Sequence, residues 1–219
     1  MEDQQTLSQL TSGEIRVLGA LIEKSKTTPD YYPMTLNGLI TACNQKSSRN
    51  PVVNYDSDTV VEALDGLRRK ELAAKVLGDG RTTKYRHTLS VKHSLDPAEL
   101  TVLGLLFLRG PLTGGDINSM SGRMFDFEGL DEVQRTIQQL LDAETPFVQY
   151  LPKMTGQKEA RLVHLFAEVP SLDDLESNSS SSSPENPAKT AALEERLSAV
   201  EKQLSELQEA FDALMKELS

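Results

Sequence analysis

Residues 14–21 read EIRVLGAL and residues 99–106 read ELTVLGLL, identical at five of eight positions at an offset of 85. A motif that returns at such a distance marks one supersecondary unit used twice, so the fold expected is a tandem of related units. Each copy opens with an apolar stripe at helical spacing: Ile15, Leu18 and Ile22 in the first, Leu100, Leu103 and Phe107 in the second. An acid in each first turn complements the helix dipole. The caps expected before it are Ser12 and, in Asp96-Pro97, Asp96.

The parallel continues downstream. A second helix is predicted at about Thr35 to Gln45, with Leu36, Leu39, Ile40 and Cys43 on one face, and a shorter one near Gly115 to Met120. A third runs from Asp58 through Leu72, where Val60, Leu64 and Leu67 are matched by Val133, Ile137 and Leu140 in a helix from Asp131. The period then becomes extended, over 74–77 and 83–89 around a turn at 78–80, and over 147–151 and 160–166 around a turn at 153–157. A hairpin alone is not stable in water and must pack on helices. Three helices closed by a hairpin form a winged helix. The expected fold is therefore mainly α with small β-hairpins (α+β): two tandem winged-helix domains, each closing its own apolar interior, and a C-terminal coiled-coil helix.

The last element rests on Leu193, Leu197, Val200, Leu204, Leu207, Phe211, Leu214 and Leu218, which alternate spacings of 4 and 3 as a supercoiling helix requires. Before it, five consecutive serines at Ser179–Ser183 stand in a Ser-, Asn- and Pro-rich stretch that buries too little apolar surface to become ordered. The organisation expected is a flexible N-terminus at 1–11, winged-helix domains at 12–94 and 95–170, a disordered linker at 171–190 and a coiled-coil helix at 191–219. That helix predicts a homodimer, the alternative being a helix that folds back onto its own domains.

Charge separates the two units. The chain carries −10 overall, but residues 12–94 hold 13 Lys and Arg against 9 Asp and Glu, while residues 95–170 hold 6 against 11. Only the first unit has an electrostatic reason to approach a polyanion, so double-stranded DNA is its expected partner. Its cations form three groups: Lys46 and Arg49 in NQKSSRNP, among the phosphate-compatible Asn44, Ser47, Ser48 and Asn50; Arg68, Arg69 and Lys70 closing the third helix; and Lys75, Arg81, Lys84 and Arg86 on the wing. Strand alternation sets Lys84 and Arg86 opposite Thr83, Tyr85 and His87. The third helix itself carries Asp58, Glu62 and Asp65, which argues against reading base edges. Its terminal cations also suit the helix dipole alone. The alternative is an adaptor that docks protein without binding DNA, and the second unit, whose third helix begins Asp131-Glu132, suits a protein partner better.

No enzyme is expected, because no Gly-rich phosphate loop, HExxH or GxSxG occurs in the sequence. No cofactor or metal is expected either. The single cysteine, Cys43, excludes an internal disulfide and a Cys-based zinc site. His87, His93 and His164 are scattered, with His87 and His164 at equivalent wing positions. The longest apolar run, from Val102 to Leu108 and interrupted by Gly104, falls far short of the roughly 20 residues of a membrane helix. The polar start MEDQQTLSQ lacks a signal-peptide pattern, so a cytoplasmic protein is expected.

The segment TPDYYPMTLNGLITACNQKSSRNPVVNY at 28–55, the paired ExxVLGxL motifs and the VxxALxxL of the third helix together resemble the YceH-like family of bacterial proteins. The resemblance spans about Leu10 to Phe166 and implies a tandem winged-helix fold. It carries over no catalytic or binding residues, and the coiled-coil tail lies outside it.

Overall fold

The structure, a computed structural model, describes residues 7–77, 82–153 and 159–169. The linker and coiled-coil expectations, Arg81 and the turn at 78–80 lie outside the described residues. The first repeat runs through α1 (Ser12–Thr27), a 3-10 turn at Pro29–Tyr31, β1 (Met34–Thr35), α2 (Leu36–Cys43), α3 (Ser57–Arg69), β2 (Ala73–Leu77) and β3 (Thr83–His87). One helical turn, α4 (Leu89–Lys92), leads to the second repeat: α5 (Pro97–Arg109), α6 (Gly114–Ser121), α7 (Leu130–Asp142), β4 (Val148–Tyr150) and β5 (Leu162–His164). The chain thus mixes helices with small antiparallel sheets. No described helix is long and apolar enough to cross a membrane.

Local chemistry explains the ends. In α1 the cap is Thr11, one residue before the expected Ser12: its hydroxyl accepts from the Glu14 N–H, and the Glu14 carboxylate accepts from the Thr11 N–H. Asp96 and Glu99 form the same reciprocal pair at α5, with Pro97 at its first position. The third helix stops at Arg69 rather than Leu72, since Lys70 caps it and Glu71 takes a left-handed φ of 60°. After His87 the chain leaves the sheet for α4, so the extended run to Leu89 is two residues too long.

A further strand joins the first hairpin, and a single isolated bridge takes its place at the second. The sheet order is β1-β3-β2, with Met34 opposite Tyr85, and in the second repeat Leu112 bridges Leu162 in the same relation to β5. The residue that follows, Thr35 or Thr113, caps the next helix. The motif Pro-apolar-Thr at 33–35 and 111–113 therefore repeats as a unit: a strand residue followed by a helix cap.

The expectation that each repeat closes its own interior is corrected, because the buried apolar residues form one continuous cluster. Val17, Leu18, Ala20, Leu21 and Ile22 are all buried in α1, as are Leu100, Val102, Leu103, Leu105, Leu106 and Phe107 in α5. A helix apolar on nearly every side must be covered on every side, and these two cover each other. Burial of each large side chain contributes about 1.5–3 kcal/mol. Leu10, assigned to the flexible N-terminus, is buried as well, and its N–H donates to the Phe166 carbonyl at 2.7 Å.

Candidate nucleic-acid interface

The three basic groups separate by what they touch. On the hairpin, Lys75 pairs with Tyr85 and shares its face, with Nζ 6.0 Å from the ring centroid. Arg86 pairs with Ala74 and Lys84 with Val76, so both project from the opposite face of β3. Tyr85 is buried while Arg86 is exposed and Lys84 half-buried, which makes theirs the outward face. The wing group is thus divided: Lys84 and Arg86 stand together, and Lys75 stands across the sheet from them.

At the end of α3, Arg69 is exposed and Arg68 is paired with Asp65 at 2.9 Å on the surface. Lys70 is engaged differently. Its Nζ lies 2.7 and 2.5 Å from the two carboxylate oxygens of Glu14, which is only 4% exposed. Gly66 makes room for this carboxylate, since a Cβ there would overlap Glu14 Oε1. One acid thereby serves the start of α1 and the end of α3 together.

The group in the α2–α3 connection is divided most sharply. Lys46 is exposed, but Arg49 is 6% exposed and points inward. Its Nη1 and Nη2 donate to Glu23 at 3.1 and 2.6 Å, Nε and Nη2 to the Ala42 carbonyl at 3.2 and 3.0 Å, and Nη2 also to Gln45 Oε1. Burial raises the Glu23 carboxyl, yet the Arg49 hydrogen bonds and charge outweigh it and hold Glu23 below the usual carboxylate range. The Asn44 side chain exchanges two hydrogen bonds with the Tyr55 backbone, at 2.8 and 2.7 Å. The Asn50 N–H donates to the Leu108 carbonyl at 2.8 Å. This connection is a clasp that ties α2 to α1 and the first repeat to the second.

Arg16 belongs to the same clasp and escaped the sequence reading. It is buried, and Nη2 donates to the Pro51 carbonyl while Nη1 has no partner among the described residues. Burial, with the Arg49 charge, lowers its guanidinium from the ordinary value. Thr101 at the equivalent position of α5 is also buried, and that shared placement inside ExxVLGxL was the available signal.

The helix between the cations remains acidic, with Asp58 and Glu62 exposed on α3. In the second repeat α7 exposes Asp131, Gln134, Arg135, Gln138 and Gln139. His87 and His164 form a matched pair: each Nδ1 is buried without a hydrogen-bond partner among the described residues, and burial pushes both down to about 4. Among the described residues, no group of three His, Cys, Asp or Glu is placed to hold a metal ion.

Comparison with known proteins agrees over most of the chain. The family model described as "Protein of unknown function, DUF480" matches residues 10–157. A UPF0502 protein of Solibacter usitatus is 43% identical over 204 residues, covering 93% of this chain and 95% of its own length. UPF0502 protein GSU0233 of Geobacter sulfurreducens is 43% identical over 199 residues, 90% of each chain. A UPF0502 protein of Geotalea uraniireducens is 49% identical over 167 residues, 76% of each. A family model over more than half of the chain and relatives this similar place it plainly: the chain belongs to the DUF480 family of bacterial UPF0502 proteins.

Proposed function

We propose that the chain is a non-catalytic tandem winged-helix protein whose first repeat associates with the phosphate backbone of duplex DNA. The observation that carries this reading is the placement of Lys84 and Arg86. Both project from the outward face of β3 with no ion-pair partner among the described residues, whereas Arg49 and Lys70 are engaged by Glu23 and Glu14. The exposed Lys46 and Arg69 complete the proposed surface; Arg49 and Lys70 are left out of it, Lys75 stands across the sheet, Arg68 is paired with Asp65, and Arg81 lies outside the described residues. The exposed Asp58 and Glu62 of α3 favour backbone contact over base reading. The heptad series at 193–218 supports a homodimer, which would double the contacts made to one duplex.

The test is fluorescence anisotropy with duplexes of random sequence at low salt. Binding that weakens steeply as salt rises and is similar across sequences supports the proposal. No binding at the lowest salt ends it.

A second reading, protein docking by the second repeat, is favoured by Leu130 at 42% and Tyr150 at 46% exposure on an otherwise acidic unit. Crosslinking that recovers one stoichiometric protein partner through these residues would support it, and recovery of nucleic acid alone would count against it.

A further inference from the structure

The seam between the repeats carries more positive charge than its one carboxylate balances. Glu23 is already held by Arg49 at 2.6 Å and lies 3.5 Å from Lys24 Nζ. Arg109 at the end of α5 and Arg123 beyond α6 have no ion pair among the described residues, yet both line a small recess with Glu23, Thr27 and Ser48. Thr27 is already a donor, to the Glu23 carbonyl at 3.0 Å, while the Ser48 hydroxyl has no hydrogen bond among the described residues. Burial, opposed by Glu23 and reinforced by Arg49, lowers the Arg109 guanidinium from its ordinary value. In a chain of net charge −10, two unpaired guanidinium groups sharing one recess are a local reversal of sign.

We propose that this recess binds a small phosphate-class oxyanion, held by the guanidinium groups of Arg109 and Arg123 with the Ser48 hydroxyl as a third donor. Planar guanidinium forks match the oxygens of a phosphate, and a hydroxyl completes the donor set. The repulsion of the ion by the Glu23 carboxylate is reduced, because Arg49 holds that carboxylate at 2.6 Å and Lys24 Nζ lies 3.5 Å from it. Ser48 and Thr27 come from the first repeat and Arg109 and Arg123 from the second, so the occupant bridges both. An ion bound there stabilises the packed arrangement of the repeats over any other, which is how a small anion would act as an effector.

The experiment is a titration of the isotope-labelled full chain with inorganic phosphate, with chloride holding the ionic strength constant, followed by amide and arginine Nε–H resonances. The expected result is a saturable shift at Arg109, Arg123 and Ser48, with affinity about tenfold weaker or worse in Arg123→Gln. The same saturable shift should persist in Lys84→Ala/Arg86→Ala. A non-saturating shift spread over the surface overturns the proposal, as does a saturable one unchanged in Arg123→Gln. A duplex that moves these signals when free phosphate does not would assign the recess to nucleic-acid backbone, and would also overturn it.

Discussion

Gly19 of α1 lies so close to Phe107 of α5 that a Cβ built on it would stand 2.9 Å from the Phe107 Cβ. The contact is reciprocated: a Cβ on Gly104 would stand 2.8 Å from Ile22 Cγ2. Gly19 and Gly104 are equivalent in the repeated motif, and so are Ile22 and Phe107. Each repeat therefore offers the same glycine and the same large side chain to the other, as the halves of a two-fold dimer do. The glycine of VLG occurs twice because the two central helices cross there.

Replacing either glycine by alanine should destabilise the protein even though alanine is the better helix former by about 1 kcal/mol. At Gly19 the obstacle is the Phe107 Cβ, close to the backbone and unable to swing away, so Gly19→Ala should cost about 1–3 kcal/mol. Gly104→Ala should cost less, since part of its crowding comes from the flexible end of Met124. Urea denaturation of both variants measures the order. Equal stability, or a gain at Gly19, would contradict the close crossing.

Glu23→Ala leaves the Arg49 guanidinium buried without its carboxylate, and a lone buried charge is far more costly than a missing pair. A loss of about 3–5 kcal/mol is expected. Glu23→Leu combined with Arg49→Met should be less destabilising than the sum of the single changes, because it removes the orphaned charge with its partner. Additive losses in a double-mutant cycle would show that the two groups do not depend on each other.

Cys43 is fully buried, and burial pushes its thiol up to about 12 against the weaker pull of Arg49 and Arg16. A thiol held protonated and out of solvent does not attack reagents. In the folded protein at neutral pH, labelling by a thiol reagent should therefore proceed only as fast as the core opens, and should accelerate with urea. Immediate stoichiometric labelling without denaturant would place Cys43 at the surface.

His164 is neutral in the folded state down to about pH 4, whereas an unfolded histidine titrates near 6.5. Above about 6.5 neither state holds the proton, so stability does not depend on it. As pH falls from 6.5 toward 4 the unfolded state alone gains a proton, and stability declines until the folded value is passed. His164→Phe, which keeps a ring against Phe107, should lose less in melting temperature over this window than the natural chain. Parallel curves would show that His164 takes up its proton in the fold as readily as in the unfolded chain. His87, pushed down to about 4 in the same way, should respond alike.

The order of three helices and a hairpin is legible in the apolar periods, because Val60, Leu64, Leu67, Val133, Ile137 and Leu140 are all buried where helical spacing places them. β1 and the Leu112 bridge are not, since one or two residues carry no period; only the repeated Pro-apolar-Thr announces them. The shared core is hidden for a related reason. A stripe at Leu18 and Ile22 looks the same whether the far side of the helix meets solvent or another helix, and it was Val17, Ala20 and Leu21 that demanded a second cover. Composition says least about the site. Lys46 and Arg49 stand three residues apart in one polar segment, yet only Arg49 reaches Glu23 on α1, a contact made across 26 positions of sequence.

The most direct test of DNA association is the salt dependence of duplex binding, compared between the natural chain and Lys84→Ala/Arg86→Ala. Each phosphate contact contributes a slope of about −0.9 in log affinity against log salt, so loss of both contacts should flatten the slope by about 2 and weaken binding alike for all sequences. A slope unchanged by the double substitution, or a loss confined to particular sequences, would contradict backbone recognition through the outward face of β3.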